Sequence, residues 1–198
     1  GNVVDPLGLI EEYGVDPVRY YLMREMVLGQ DASFTMESFV KRYNSDLAND
    51  FGNLLSRVSN LMKKFFDGKI PTEEDDSDEG IAIKEKGIKT NEIMWAQIES
   101  MRVNEAIETT LQFVRSVNKY METMAPWKLA KSDPESAGKV LFTAAEALRL
   151  SAVLLAPVMP NRTKVVLDTF NAEETGLEWG GLKGGVALKP HDVLFPRI

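Results

Sequence analysis

Residues 36–66, MESFVKRYNSDLANDFGNLLSRVSNLMKKFF, carry the pattern on which the fold turns. Met36, Phe39, Val40, Tyr43, Leu47, Phe51, Leu54, Val58, Leu61 and Phe65 recur at three- and four-residue spacing. At about 100° per residue this gathers them on one side of a single long helix. Thr35 is placed as its N-cap, with Phe34 and Phe39 set for a hydrophobic staple. Asp46, Asp50, Asn53 and Arg57 run at i, i+4, i+7 and i+11, which puts them on one narrow polar stripe beside the apolar face. Asn53 offers an amide carbonyl and an amino group, and Arg57 a planar fork of donors, the chemistry that reads a base edge or grips a phosphate. Such residues also flank many helices for solvation or local ion pairs, so spacing alone leaves both readings open.

Working outward, residues 1–4 look extended and cut from something longer. Asp5-Pro6 and Asp16-Pro17 each present an N-cap aspartate followed by proline at the first helical position, and Gly14 is placed to end the first of the two helices. Beyond residue 66, Gly68 and Pro71 mark a turn, and the acidic run over residues 73–79 reads as a solvated loop. It lacks the alternating ligands, turn glycine and later glutamate of a calcium loop, so no metal is expected. A mostly polar helix is expected over residues 81–99 with Trp95 in the core, and a clearer one over 103–123, ended by Pro126. Ser132-Asp133-Pro134 opens a helix apolar around much of its circumference, hence central. Pro157 and Pro160 break it before a last helix over 161–170. The tail is glycine-rich, but Val186 follows Gly185 where a phosphate loop needs Lys and then Ser or Thr. The fold class is therefore all-α: a small unit over residues 1–33, an up-and-down bundle of about five helices over 34–170, and a packed tail over 171–198.

Composition bounds the function. The 198 residues suffice for one principal core, and 44% hydrophobic with 27% charged residues is ordinary globular usage. The chain has no cysteine, which excludes disulfides, thiolate zinc sites and cysteine nucleophiles, and its single histidine, His191, reads as a solvated tail residue. A net charge of −7 excludes coating nucleic acid through a general positive field, so any RNA contact must be local. Neither a signal peptide nor an apolar run long enough to cross a membrane is readable, and a cytoplasmic protein is expected.

Three further stretches resemble the methionyl-tRNA synthetase family: Gly1-Asn2-Val3-Val4-Asp5-Pro6, Tyr13-Gly14-Val15-Asp16-Pro17-Val18-Arg19-Tyr20-Tyr21-Leu22, and Gly29-Gln30-Asp31. The likeness continues through Arg42 to Asp50 and into Gly52-Asn53-Leu54-Leu55-Ser56-Arg57, then Asn118-Lys119-Tyr120 and Ala125-Pro126-Trp127, and finally Leu155-Ala156-Pro157-Val158-Met159-Pro160. The resemblance implies that residues 1–33 form a connecting unit after a class I catalytic domain whose Lys-Met-Ser-Lys-Ser loop is absent from this sequence. It implies that Asn53 and Arg57 contact the anticodon of methionine tRNA, that Asp46 supports them, and that Trp127, oriented by Pro126, stacks on the first anticodon base. An exposed indole offers such a stacking platform.

On this resemblance the chain is expected to be the anticodon-binding part of a methionine tRNA ligase. Its implied partners are the anticodon loop and the catalytic domain of the same polypeptide, with no membrane. No catalytic residue and no cofactor is expected within it. ATP with magnesium would serve the full-length enzyme, and these residues alone should be inactive. Two rivals stand beside this reading: a helical protein-interaction module using the same stripe and Trp127 as a hot spot, and the equivalent domain of another class I tRNA ligase.

Overall fold

The computed structural model describes residues 4–27, 29–32, 34–174 and 176–198, so the sequence reading of residues 1–3 as extended lies outside the described residues. Among the described residues the chain is helical, with an isolated antiparallel bridge between Lys69 and Ala187. In chain order the helices are α1 (Pro6–Tyr13), α2 (Val15–Glu25), α3 (Met36–Arg42), a π segment (Tyr43–Gly52), α4 (Asn53–Phe65), α5 (Asp78–Glu99), α6 (Val103–Met124), α7 (Pro126–Ser132), α8 (Pro134–Leu155) and α9 (Pro160–Thr169).

The first turns follow local chemistry. The Asp5 side chain accepts from the Leu7 N–H, and Gly14 ends α1 with φ of 89°, a conformation that favours glycine. The expected cap at Asp16 is corrected: α2 begins at Val15, two residues before Pro17, and Asp16 is buried. Its carboxylate instead accepts from the Arg162 backbone N–H at 2.6 Å and from Asn161 Nδ2 at 3.2 Å, both in the first turn of α9. A helix start leaves backbone N–H groups unpaired, and Asp16 supplies that acceptor from a distant part of the chain. Thr35 does cap α3, accepting from Ser38 N–H, while the Tyr21 ring packs against both Phe34 and Phe39.

The long helix is continuous but not uniformly α. Through Tyr43–Gly52 the backbone takes wider π turns, and the Asn53 N–H still reaches back five residues to the Ala48 carbonyl. Extended π geometry is rare and concentrates at functional sites. A π turn holds more residues than an α turn, so positions four apart no longer superpose and the single straight stripe expected from helical arithmetic is bent.

Helix α8 is central, as its sequence predicts. Phe66 and Pro71 close on its Gly138, and Thr143 receives the Asp75 N–H. It also buries an ion pair, Glu146 with Arg149, at 2.7 Å and essentially without solvent exposure. This pair holds the tail. Glu146 accepts from the backbone N–H groups of Gly180, Gly181 and Leu182, and Arg149 donates to the carbonyls of Gly176 and Glu178. A Cβ on Gly181 would stand 2.7 Å from the Arg149 guanidinium carbon and one on Gly176 3.0 Å from its Nη1, so these two glycines serve close approach to a buried charge.

Three further expectations change. The acidic run is not simply solvated: Asp75 is buried, accepts from the Tyr120 hydroxyl and holds Ser77, which caps α5. Trp95 is exposed, because α5 turns Ile83, Gly87, Thr90 and Met94 inward instead. His191 contacts the buried Ser59 hydroxyl of α4 at 2.9 Å rather than standing free.

Candidate nucleic-acid interface

Asn53 opens α4 and is exposed, and among the described residues nothing hydrogen-bonds its side chain. One helical turn on, Arg57 lies over the Trp127 ring, its guanidinium carbon 5.3 Å from the ring centroid, a cation–π arrangement. Arg57 Nη2 also donates to Glu122 Oε1 at 2.6 Å, and Glu122 itself is largely exposed. Three helices thus meet at one surface: α4 brings Asn53 and Arg57, α6 brings Glu122, and α7 brings Trp127.

The link between α6 and α7 explains how Trp127 reaches that surface. Ala125 adopts the left-handed conformation, with φ of 45° and ψ of 63°, and ends α6. Pro126 then occupies the first position of α7 and is buried, so it starts a new helix rather than denying one. Trp127 falls in the first turn of α7, partly buried against Arg57. Lys128 follows Trp127 in α7 and Lys119 lies one turn before Glu122 in α6, both exposed cations on a chain of net charge −7.

Asp46 occupies a different place from Asn53 and Arg57. It is buried, accepting from the Tyr20 hydroxyl at 2.8 Å and from Arg42 and Arg115 at 3.4 Å each. Its route to the site runs through Arg115. That residue donates from Nε to Asp50 and from Nη1 to Glu108, both at 2.8 Å, and Glu108 in turn accepts from Arg24 of α2. Asp50 precedes Asn53 by three residues, and its backbone carbonyl accepts from Asn118 Nδ2 at 2.9 Å. The polar stripe therefore divides: Asp46 and Asp50 are tied into an ionic hub, Asn53 faces outward, and Arg57 is half-buried between Trp127 and Glu122.

Electrostatics holds the hub together. Burial works against the Glu108 carboxylate, but Arg115 and Arg24 outweigh it and keep Glu108 below the usual carboxylate range. Burial, and then the Asp46 carboxylate, push the Tyr20 phenol well above its ordinary value, so Tyr20 remains a hydrogen-bond donor. Arg115 and Glu122 are the members that sequence reasoning missed. The available signal was Asp50, a carboxylate bordering an apolar face and in need of a cation, but the cation lies 65 residues away.

Among the described residues no group of three or more His, Cys, Asp or Glu is arranged to hold a metal ion. Of the tail glycines, Gly176, Gly180 and Gly181 are held by Glu146 and Arg149, while Gly184 lies against Pro71 and Thr72.

Two family models match the chain. Residues 1–59 match that for class I tRNA synthetases (M), and residues 70–198 match the anticodon binding domain of methionyl tRNA ligase. The methionine–tRNA ligase of Bacillus subtilis is 40% identical over 213 residues, covering 100% of this chain and 31% of that protein. That of Clostridium acetobutylicum is 37% identical over 204 residues, covering 100% and 32%. The chain thus spans about a third of the length of these relatives. Among solved structures, apo Mycobacterium tuberculosis methionyl-tRNA synthetase superposes with a TM-score of 0.92 at 33% identity, over 99% of this chain and 41% of that one. The same enzyme bound by methionyl-adenylate gives 0.92 at 33% identity, over 99% and 40%.

Proposed function

This chain belongs to the methionyl-tRNA ligase family and carries its anticodon-binding domain, and from that premise we propose that the α4, α6 and α7 surface reads the anticodon of methionine tRNA. The observation that carries this reading is the clustering of an exposed Asn53 with Arg57 laid over Trp127. Asn53 and Arg57 supply donors and acceptors for base edges, and Trp127 supplies a face on which a base stacks once Arg57 swings aside. Pro126 fixes the start of α7 and hence the direction of the indole. Asp46 acts at a distance, holding the π segment through Arg115 so that α4 begins where Asn53 is needed.

In a ligase that includes a catalytic domain, this surface contributes differential binding. Anchoring the correct anticodon positions the distant acceptor end, and that geometry raises the rate at which methionine, activated with ATP and magnesium, is transferred to tRNA. Such a protein acts in the cytoplasm.

Binding of a methionine anticodon stem-loop is compared with that of a loop bearing altered anticodon bases, at low and moderate salt, with Trp127→Ala alongside. A preference for the methionine anticodon that Trp127→Ala removes supports the assignment. Equal binding of both loops by the folded wild-type chain would turn the reading toward a protein-interaction surface, because a protein partner gives no reason to distinguish anticodons.

A further inference from the structure

Residues 194–198 of the tail lie against the π segment (Tyr43–Gly52) that leads into Asn53. Arg162 of α9 donates from Nη1 to the Leu194 carbonyl at 2.7 Å, and its guanidinium carbon stands 5.5 Å from the centroid of the Phe195 ring. Phe195 is buried, edge-on to Tyr43 at 6.0 Å and tilted against Phe51 at 6.4 Å between ring centroids. Arg197 donates to Asn49 Oδ1, and the Asn44 side chain pairs with Ile198 twice, donating to its carbonyl at 2.8 Å and accepting from its N–H at 3.1 Å. Gly52, immediately before Asn53, lets the tail approach. A Cβ there would stand 3.1 Å from the Leu47 carbonyl oxygen, 3.5 Å from the Phe195 ring and 3.7 Å from the Phe195 backbone nitrogen.

The segment depends on outside support, because six of its ten residues, Asn44, Ser45, Asp46, Asn49, Asp50 and Gly52, are poor helix formers. Tyr20, Arg115 and Asn118 hold it through Asp46 and Asp50, and the tail holds it through Tyr43, Asn44, Asn49, Phe51 and Gly52. We propose that residues 194–198 are a positioning element for anticodon discrimination, with Phe195, seated at Gly52, fixing where the π segment ends and hence where Asn53 stands. The proposal rests on the anticodon reading above and extends it to residues outside the Asn53, Arg57 and Trp127 surface. Hydrogen bonds to a base edge weaken steeply when their angle is lost, and a binding side chain has to be held within about 0.5 Å by its supporting shell. Attraction between cations and phosphates is far less directional and is common to every sequence. Loosening the tail therefore lowers the preference for the correct anticodon and leaves general RNA binding in place.

The test compares the 198-residue chain with Phe195→Ala, Phe195→Leu and Gly52→Ala in binding the methionine anticodon stem-loop and the loop with altered anticodon bases. Hydrogen exchange at residues 43–53 and melting are followed alongside. Phe195→Ala should lower the ratio of the two affinities about tenfold, change binding of the altered loop by no more than about twofold, and speed exchange at residues 43–53 more than in α5. Phe195→Leu refills much of the space and should restore most of the ratio. Gly52→Ala favours helix formation by itself but crowds Leu47 and Phe195, so it should lower the ratio in a chain that stays folded, and it keeps the test valid if Phe195→Ala does not fold. Folded variants that melt earlier yet keep the wild-type ratio would overturn the proposal, since the tail would then serve stability alone. Equal loss of affinity for both loops would overturn it as well. A wild-type chain that binds both loops equally overturns the anticodon reading and this proposal with it, whereas a wild-type preference that survives in every folded variant overturns this proposal alone.

Discussion

Trp127 and Arg57 are each other's partner in the free protein, so under the proposed function RNA separates them before a base stacks. Trp127→Ala removes the stacking face and should weaken the methionine anticodon loop by about 1–3 kcal/mol, with a loss of fold stability of about 1 kcal/mol from its packing on Arg57, measured by binding titration and calorimetry. Under the proposed function Glu122, paired with Arg57, competes with RNA for that guanidinium and repels phosphate, so Glu122→Gln should bind every loop a few-fold more tightly and narrow the gap between correct and altered anticodons. Its effect on stability should stay within about 0.5 kcal/mol, since the Arg57–Glu122 pair is largely exposed on the glutamate side. A Glu122→Gln variant that binds no better than wild type would show that the ion pair does not gate the site. At this scale the sequence names Asn53, Arg57 and Trp127 one by one. It does not show their mutual contact, because Arg57 and Trp127 are 70 positions apart and only the left-handed turn at Ala125 brings them together.

At the level of elements, caps and breakers were legible while their partners were not. Asp5, Thr35 and Asp133 cap the helices that follow them, since an N-cap bond spans only two or three residues. Asp16 carries the same signature and serves α9 instead. Asp16→Ala should therefore cost about 1–2 kcal/mol and raise hydrogen exchange in the first turn of α9 rather than in α2. Protection lost in α2 alone would contradict the assignment. The central helix gives a second case. Arg149→Met leaves the Glu146 carboxylate buried without its cation and should destabilise by about 3–5 kcal/mol, with the tail becoming protease-sensitive between residues 176 and 185. Changing Glu146 and Arg149 together to leucine and methionine should cost less than Arg149→Met alone, because no unpaired charge remains.

For the whole molecule, the buried phenols of Tyr20 and Tyr120 contribute to stability at alkaline pH. Burial is the first cause that raises Tyr20 and Tyr120, with Asp46 and Asp75 adding to it respectively. Phenols that ionise later in the folded than in the unfolded chain stabilise the fold fully below about pH 10 and lose that contribution as pH rises beyond it. Denaturant midpoints should therefore fall above about pH 10, and less steeply in Tyr120→Phe. Glu108 acts in the opposite sense, since its lowered value adds stability above the ordinary carboxylate range that is lost as pH falls through it. No described helix is long and apolar enough to cross a membrane.

By itself the sequence determined that the chain is helical, where most helices start and stop, that α8 is central, and which residues resemble an anticodon-reading set. These depend on periodicity, caps and breakers, which act over a few residues and are written in order along the chain. Only the tertiary structure decided that Asp16 caps α9, that Trp95 faces outward, that the long helix widens into π turns, and that Arg115 gathers Asp46, Asp50 and Glu108. Each of these depends on which helix face meets which neighbour. A charged or aromatic side chain takes whatever partner that packing brings within about 3 Å of its polar atoms or 6 Å of its ring. Separation along the chain carries no information about that choice.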